Sequence, residues 1–491
     1  MRHATTSAGR SRVRRVAAVP VALATLALTQ TAAVADPATN GVPSVLDTLT
    51  PHHLTVADGI ERTTYSSDSS EIVVRVSVID PDLGAISLDS TVGAGVSVKE
   101  PTTAMLATVA AGGGAPYVGV NGGYSVSTKD EDDLTGKGIP EERSVPMVTS
   151  VQEDVVQGAG CLKGQNSVVL QHGRPHFTKI TTALGITSDR NTADTADDAT
   201  RVVDGVNRYP GWIVFCPQEA GDVVLPYRKD ADGVVQRLDQ YGNVIKGGPY
   251  YQDSSEIVVF TSAYGQKTPE PRHTPFVAAD DADGVEVAVD ASGRVTAVKS
   301  PRGGTAVPPG GMVLQGIGDD AQTGGGAQWL RDHAMVGAKL TYTQRATDLG
   351  VVGDPDDDVD LPLDPAYPSI DVVNGTHDLM RHGRVVAEPD DNVANDPRTA
   401  IGADGYGRTL LVTVTAREEG LRRGVPIYDL AKIMEDLGAV DALNLDGGGS
   451  TTFVVDGQVK NVLSDAGGIE RPVYDAVYAG RGGHGLPAGG N

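Results

Sequence analysis

A chain of 491 residues that sets 64 acidic against 40 basic side chains, for a net charge of −24, is a poor fit to nucleic acid, whose phosphate backbone needs an extended basic surface. The length allows two or three domains of ordinary size, yet no long low-complexity linker divides it, and one elaborated domain is expected. Aromatic residues make up 4% and glycines number 61, a composition suited to short strands and tight turns.

The N-terminus reads as an export signal. Arg2, Arg10, Arg12, Arg14 and Arg15 precede an apolar run from Val16 to Leu28, and Ala33-Val34-Ala35 supplies an A-x-A cleavage site before Asp36. The run is shorter than the roughly 20 residues of a membrane span, so residues 1–35 are expected to be removed, leaving a secreted, extracellular chain without a transmembrane segment. Arg14-Arg15 leaves the twin-arginine and general export routes both open. In an oxidising compartment the two cysteines, Cys161 and Cys216, are expected to form one disulfide. Without a nearby His pair they fall short of a zinc site.

Short Val/Ile-rich runs bounded by Gly, Asp and Pro predict strands at 72–78, 167–170, 212–215, 256–261, 285–289 and 410–414. Helices are expected at 103–110, ending in Gly112-Gly113-Gly114, and at 425–437. In the second, Ile427, Leu430, Ala431, Met434 and Leu437 share one face and Gly438 supplies the stop. The expected fold class is therefore α+β: a single large domain of mixed β-sheets with a few helices, N-terminal strands over 36–100, the body over 101–482 and a flexible tail over 483–491. Acidic stretches at Asp130–Asp133, Asp189–Asp198 and Asp354–Asp364 read as solvated surface insertions. The last could offer calcium its carboxylates but lacks the Gly and closing Glu of a hand loop; no cofactor is required.

Three strand-like segments end in the same way. Tyr117–Val120 enters Asn121-Gly122-Gly123, Ile370–Val373 enters Asn374-Gly375, and Ala442-Leu443 enters Asn444-Leu445-Asp446-Gly447-Gly448-Gly449-Ser450. The shared form suggests converging strand ends, although Asn-Gly is also an ordinary tight-turn dipeptide. Three consecutive glycines between Asp446 and Ser450 let backbone amides approach a ligand oxygen as an anion nest. No Lys follows and the next element, Thr452–Val455, is strand-like, so this is not a nucleotide loop. Downstream, Glu470-Arg471-Pro472 places a carboxylate beside a guanidinium, and Pro397-Arg398-Thr399 puts another Arg at the mouth of a strand, suited to fork onto a carboxylate or phosphate.

The run from Pro397-Arg398-Thr399-Ala400-Ile401-Gly402 through Asn444-Leu445-Asp446-Gly447-Gly448-Gly449-Ser450 to Glu470-Arg471-Pro472-Val473 resembles the phosphodiester glycosidase domain family. That family includes the enzyme removing N-acetylglucosamine from a phosphodiester to uncover mannose 6-phosphate, and bacterial proteins described as exopolysaccharide-related. The likeness extends to Val120–Tyr124, Asp204–Arg208, Val258–Thr261 and Val373–Gly375. Ser125 and Thr376-His377 depart from the family pattern on what would be the sugar side.

The resemblance implies a secreted hydrolase that cleaves the anomeric C–O bond of a sugar-1-phosphodiester in a cell-envelope or extracellular glycan. Asp446 and Glu470 are the expected catalytic carboxylates, as base or nucleophile. Arg398, Arg471 and the Gly447, Gly448 and Gly449 amides are expected to bind phosphate, with Ser450 and Thr399 beside them. Asn121, Gly122 and Asn444 are expected to hold sugar hydroxyls or orient the carboxylates. The alternatives are a non-catalytic polysaccharide or cell-wall binding protein, or a related glycan hydrolase or transferase acting on a linkage without phosphate. A metal site is not expected, since the ten His form no H-x-H or H-E-x-x-H pattern.

Overall fold

Hydrophobic patterning builds an eight-stranded antiparallel sheet whose inner strands, Ile72–Ile79, Arg398–Asp404 and Thr409–Ala416, are largely buried on both faces. The computed structural model describes residues 45–127, 144–146, 149–152, 155–158, 165–171, 173–210, 255–271, 283–318, 325–348 and 370–482, with short strands between 213 and 252. Cys161, Cys216, the N-terminal signal, the tail from 483, and the acidic stretches Asp130–Asp133 and Asp354–Asp364 lie outside the described residues.

In chain order the elements that build the site are β1 (Thr50–Ala57), β2 (Ile60–Ser66), β3 (Ile72–Ile79), β4 (Ser87–Thr91), α1 (Thr102–Ala111), β5 (Ala115–Asn121), β6 (Gln165–Gln171), β7 (Arg174–Ser188), β8 (Ile257–Phe260), β9 (Val285–Val289), β10 (Met312–Gly316), α2 (Gly326–His333), β11 (Asp371–Asn374), β12 (His377–Arg381), β13 (Arg398–Asp404), β14 (Thr409–Ala416), α3 (Ile427–Asp436), β15 (Ala439–Asn444), β16 (Phe453–Val455) and β17 (Ala476–Arg481). The central sheet runs β1-β2-β3-β14-β13-β15-β12 and closes on Arg384–Val385. A second sheet pairs β16, β5, β17 and β4; a third carries β7, β6 and β11; a fourth carries β8, β10 and β9.

Residues of β14 are buried throughout because both faces of its sheet are covered, which also explains why its sequence does not alternate. On one face α3 lays Ile427, Leu430, Ala431 and Met434 against Val74, Val76, Ala400, Val412 and Ala442. Each such side chain contributes about 1.5–3 kcal/mol when taken from water. On the other face Ile79, Ile401, Leu411 and Leu443 pack against Val118, Val120, Phe453, Val477 and Val168 from the second and third sheets. The hairpin at Asp456-Gly457 has positive φ at both residues (50° and 70°), the two-residue turn that matches strand twist.

The helices at 103–110 and 425–437 form as α1 and α3, and the strands at 72–78, 167–170, 285–289 and 410–414 form as β3, β6, β9 and β14. The α+β expectation needs correction: the protein is mostly β, with three α-helices among the described residues. The sheets are also less mixed than expected. Among the described residues Gly205–Val206 pairs in parallel with β8, and the other pairings are antiparallel. Tight turns suffice to join antiparallel neighbours, whereas parallel ones need long crossovers. Asp189–Asp198 is a largely exposed surface segment, as its charge implied.

Candidate active site

The three Asn-Gly strand ends converge. β5 ends at Asn121, β11 at Asn374 and β15 at Asn444. The Asn121 amide donates to the Asp446 carbonyl at 2.7 Å, and Thr376 N donates to the Asn444 carbonyl at 3.2 Å. The Asn374 side chain accepts from Tyr124 N at 2.9 Å. Asn444 Nδ2 reaches both the Tyr124 hydroxyl and Thr376 Oγ1 at 3.1 Å. Gly375 approaches the Asn444 carbonyl so closely that a Cβ would press on it, so glycine there is a packing requirement.

Asp446 sits where these turns meet and is half-buried. Its amide donates to the Gly122 carbonyl at 3.0 Å, and its Oδ1 accepts from Gly447 N at 2.8 Å. Burial pushes its carboxyl up to about 6, against the opposing pull of the Ser450 hydroxyl, the Gly447 amide, Arg471 and Lys99. The Tyr124 phenol is raised by burial and by the charge on Asp446. A carboxylate that titrates near neutrality beside a phenol and two cations can exchange a proton with a bound ligand.

Cations gather on the glycine side. The Arg471 guanidinium lies against Gly449, where a Cβ would overlap it, and is held by Asp465 through Nε to Oδ2 at 2.7 Å and Nη2 to Oδ1 at 2.6 Å. Arg422 Nη2 overhangs Gly448, while its Nε donates to Asp396 at 2.9 Å. Both arginines remain partly exposed. Among the described residues no group of three or more His, Cys, Asp or Glu could hold a metal ion.

Several expected ligands are braces. Arg398 is 3% exposed; its Nε donates to the Val425 carbonyl at 2.8 Å and its Nη2 to Ala394 O at 2.8 Å and to Asn392. That engagement corrects the picture of a free phosphate fork. Asn121 uses its whole amide inside the protein, since Oδ1 accepts from Thr399 Oγ1 at 2.8 Å and Thr452 N at 3.1 Å; Asn121 and Thr399 therefore shape the site from beneath. The Gly447 amide serves Asp446 and the Gly448 amide serves the Pro397 carbonyl at 2.7 Å, so two amides of the expected nest are already engaged. Glu470 lies at the N-terminus of α1, with Oε1 accepting from Thr103 N at 2.9 Å and Oε2 from Thr103 Oγ1 at 2.6 Å. Gly122 packs on Asp475.

Sequence reasoning placed Thr376 on the sugar side but missed Tyr124, Lys99, Arg422 and Asp475 as site residues. The signal for Asp475 was present: one acid inside the otherwise apolar run Val473 to Ala479. Nothing local marked Lys99 or Arg422.

Residues 283–479 match the phosphodiester glycosidase family. Over 119 residues the chain is 29% identical to the mouse N-acetylglucosamine-1-phosphodiester alpha-N-acetylglucosaminidase, and over 120 residues 32% identical to the bovine one. Each match covers 21% of this chain, and it covers 23% of the mouse and 22% of the bovine protein. The chain thus spans less than a quarter of these relatives. A protein from Burkholderia pseudomallei shares the fold at a TM-score of 0.60 and 24% identity, covering 83% of this chain and 74% of that one.

Proposed function

We propose that this chain, which carries a phosphodiester glycosidase family domain over residues 283–479, is a glycoside hydrolase cleaving the anomeric C–O bond of a sugar-1-phosphodiester. The observation that carries the reading is the placement of Asp446 beside a glycine segment flanked by the Arg471 and Arg422 guanidiniums, with Lys99 and Arg471 pulling on a carboxyl that burial pushes up. The names of the mouse and bovine relatives make an N-acetylglucosamine-1-phosphodiester the first substrate to try. From the arginine-rich stretch, apolar run and Ala33-Val34-Ala35 within residues 1–35 we infer an exported enzyme acting on cell-envelope or extracellular glycans.

An ordinary glycosidase needs an acid to protonate an alkoxide leaving group. Here the leaving group is a phosphate monoester, whose second pKa is about 6, so cations that bind the departing oxygens replace most of that acid. Asp446 takes the anomeric side. As base it removes a proton from water while the water oxygen bonds to C1 and the C1–O bond breaks toward phosphate; as nucleophile it bonds to C1 while the C1–O bond breaks toward phosphate, and water then displaces the carboxylate from C1, giving up its proton to solvent as the sugar is released. Both Glu470 oxygens serve α1, so we assign the reaction to Asp446 and give Glu470 a supporting part, revising the expected pair.

Hydrolysis of N-acetylglucosamine-1-phosphodiesters in heavy-oxygen water tests the reading. Label in the free sugar, together with an unlabelled phosphate monoester, supports it. Label in the phosphate means P–O cleavage and overturns it, and glycan binding without turnover favours the binding protein.

A further inference from the structure

The Gly122-Gly123 turn stands between two acidic side chains. On one side Asp446 N donates to the Gly122 carbonyl at 3.0 Å, and on the other Gly122 N donates to the Asp475 carbonyl at 2.9 Å. Gly123 N donates to Asp475 Oδ1 at 2.7 Å, and a Cβ on Gly122 would overlap the Asp475 carboxyl. The turn and the carboxyl are therefore in direct contact, and the turn in turn anchors the Asp446 backbone. Asp475 is 1% exposed, and its Oδ2 has no hydrogen-bond partner among the described residues. A buried carboxyl oxygen without a donor is costly while ionised and comfortable while it carries a proton.

We propose that Asp475 is a positioning residue for Asp446: Oδ1 fixes the Gly122-Gly123 turn on which Asp446 hangs, and Oδ2 holds a proton whose loss is coupled to the charge of Asp446. The inference rests on the reading of Asp446 as the reacting carboxylate. Arg471, Lys99, the Ser450 hydroxyl, the Gly447 amide and the Tyr124 phenol face Asp446; the Gly123 amide and Tyr474 face Asp475. The cations thus lie on the Asp446 side, and that group ionises first. Burial, with the Asp446 charge adding to it, pushes Asp475 up to about 7. With the cations on the Asp446 side, the last proton of the pair is expected to rest on Asp475, leaving Asp446 ionised for the reaction.

The test begins with a readout independent of turnover. Carboxyl-carbon NMR titration of the full chain assigns Asp475 in the wild type and in Asp446→Asn, where the like charge is gone. Its midpoint is expected to fall by about half a unit to one unit; an unchanged midpoint overturns the coupling. Asp475→Asn keeps the acceptor for Gly123 N but removes charge and proton. On the same N-acetylglucosamine-1-phosphodiester Asp475→Asn is expected to leave the acid limb of kcat/KM against pH in place, because Asp475 is neutral where Asp446 ionises, whereas Asp475→Ala, which strands Gly123 N, is expected to lower kcat about tenfold with KM little changed; equal kcat in the two variants overturns the positioning role. If no glycosyl phosphodiester is turned over, the proposed function falls while the titration still decides the coupling. If Asp475→Asn does not fold, the Asp446→Asn titration decides it with Asp475 intact.

Discussion

Glu286 and Asp475 are each 1% exposed, yet the protein surrounds them in opposite ways. Glu286 accepts hydrogen bonds from Thr268 Oγ1 at 2.6 Å, Gln315 Nε2 at 2.7 Å, Gly303 N at 2.9 Å and the Thr305 hydroxyl, with Lys299 Nζ at 3.2 Å. Burial pushes its carboxyl up, but those donors outweigh it and hold it below the usual carboxylate range. Asp475 Oδ1 accepts from Gly123 N while its Oδ2 has no hydrogen-bond partner among the described residues, and burial pushes the carboxyl up to about 7. The difference is in donors, not depth. Around Glu286 the fold closes the connection from Thr268 to Thr305 with a saturated anion; Asp475 keeps one buried oxygen without a donor among the described residues, which favours a proton there.

The sharpest break in this comparison is Asp446→Asn. It should lower kcat/KM by about 10²–10⁴-fold while thermal unfolding moves little or upward, because a carboxyl that ionises reluctantly has been removed. A large loss of stability with modest loss of activity would place Asp446 in the Glu286 class instead. Glu286→Ala is the reverse: it strands the Thr268, Thr305, Gln315 and Gly303 donors and should cost about 2–4 kcal/mol in denaturant unfolding. Activity per folded molecule should survive; its loss would mean that the fourth sheet is tied to the site.

Stability against pH separates the two classes by sign. Raised carboxyls such as Asp446 and Asp475 favour the folded state fully below the unfolded value near 4, and that contribution is lost as pH rises through about 6 and about 7. Lowered Glu286 contributes above the unfolded value and loses its contribution as pH falls through its folded one. The melting temperature should therefore climb by a few degrees between pH 8 and pH 5, and Asp475→Asn should flatten part of that rise; Glu286→Gln should leave it in place.

Arg471→Ala sharpens the electrostatic side. Losing a partly exposed cation beside the glycine segment should raise KM for a phosphodiester by about tenfold, with less effect on any substrate lacking phosphate. Because Arg471 pulls Asp446 downward, its removal should also move the acid limb upward, where Asp475→Asn leaves it in place. An equal KM change on neutral glycosides would speak for loop collapse, since Arg471 also secures Asp465.

What the sequence made legible was local. The face shared by Ile427, Leu430, Ala431 and Met434 was readable as a helix because its period is built into the spacing, and it packs as expected. The likeness of three Asn-Gly ends pointed toward convergence, which the contacts of Asn121, Tyr124, Asn374 and Asn444 bear out. The balance of the fold was misjudged because Gly/Val-rich runs give weak strand signals and many of the sheet pairings join distant segments. Roles were harder still. Arg398 looks like a phosphate fork until the carbonyls of Val425 and Ala394 take its donors, and no local pattern says which distant backbone will do so. Glu470 adjoins Arg471 in sequence, yet it faces Thr103.

Glu470→Gln carries the smallest expected effect and the finest discrimination. The Ncap position of α1 is Pro101, which offers no side-chain cap, so the Glu470 carboxylate acts from a distant segment on the orphan donors of the first helical turn. Gln preserves an acceptor for Thr103 N but removes a negative charge from the positive end of the helix, a change worth about 0.5–1 kcal/mol. Met105 and Leu106 anchor α1 independently against Val473, Ala476, Val454 and Tyr478, so the helix should persist and kcat/KM should change by no more than about threefold. A small fall in denaturant midpoint with activity retained fits the cap. A loss of kcat approaching that of Asp446→Asn, with the midpoint unchanged, would instead make Glu470 a second reacting carboxylate, and would mean that it leaves Thr103 when substrate binds.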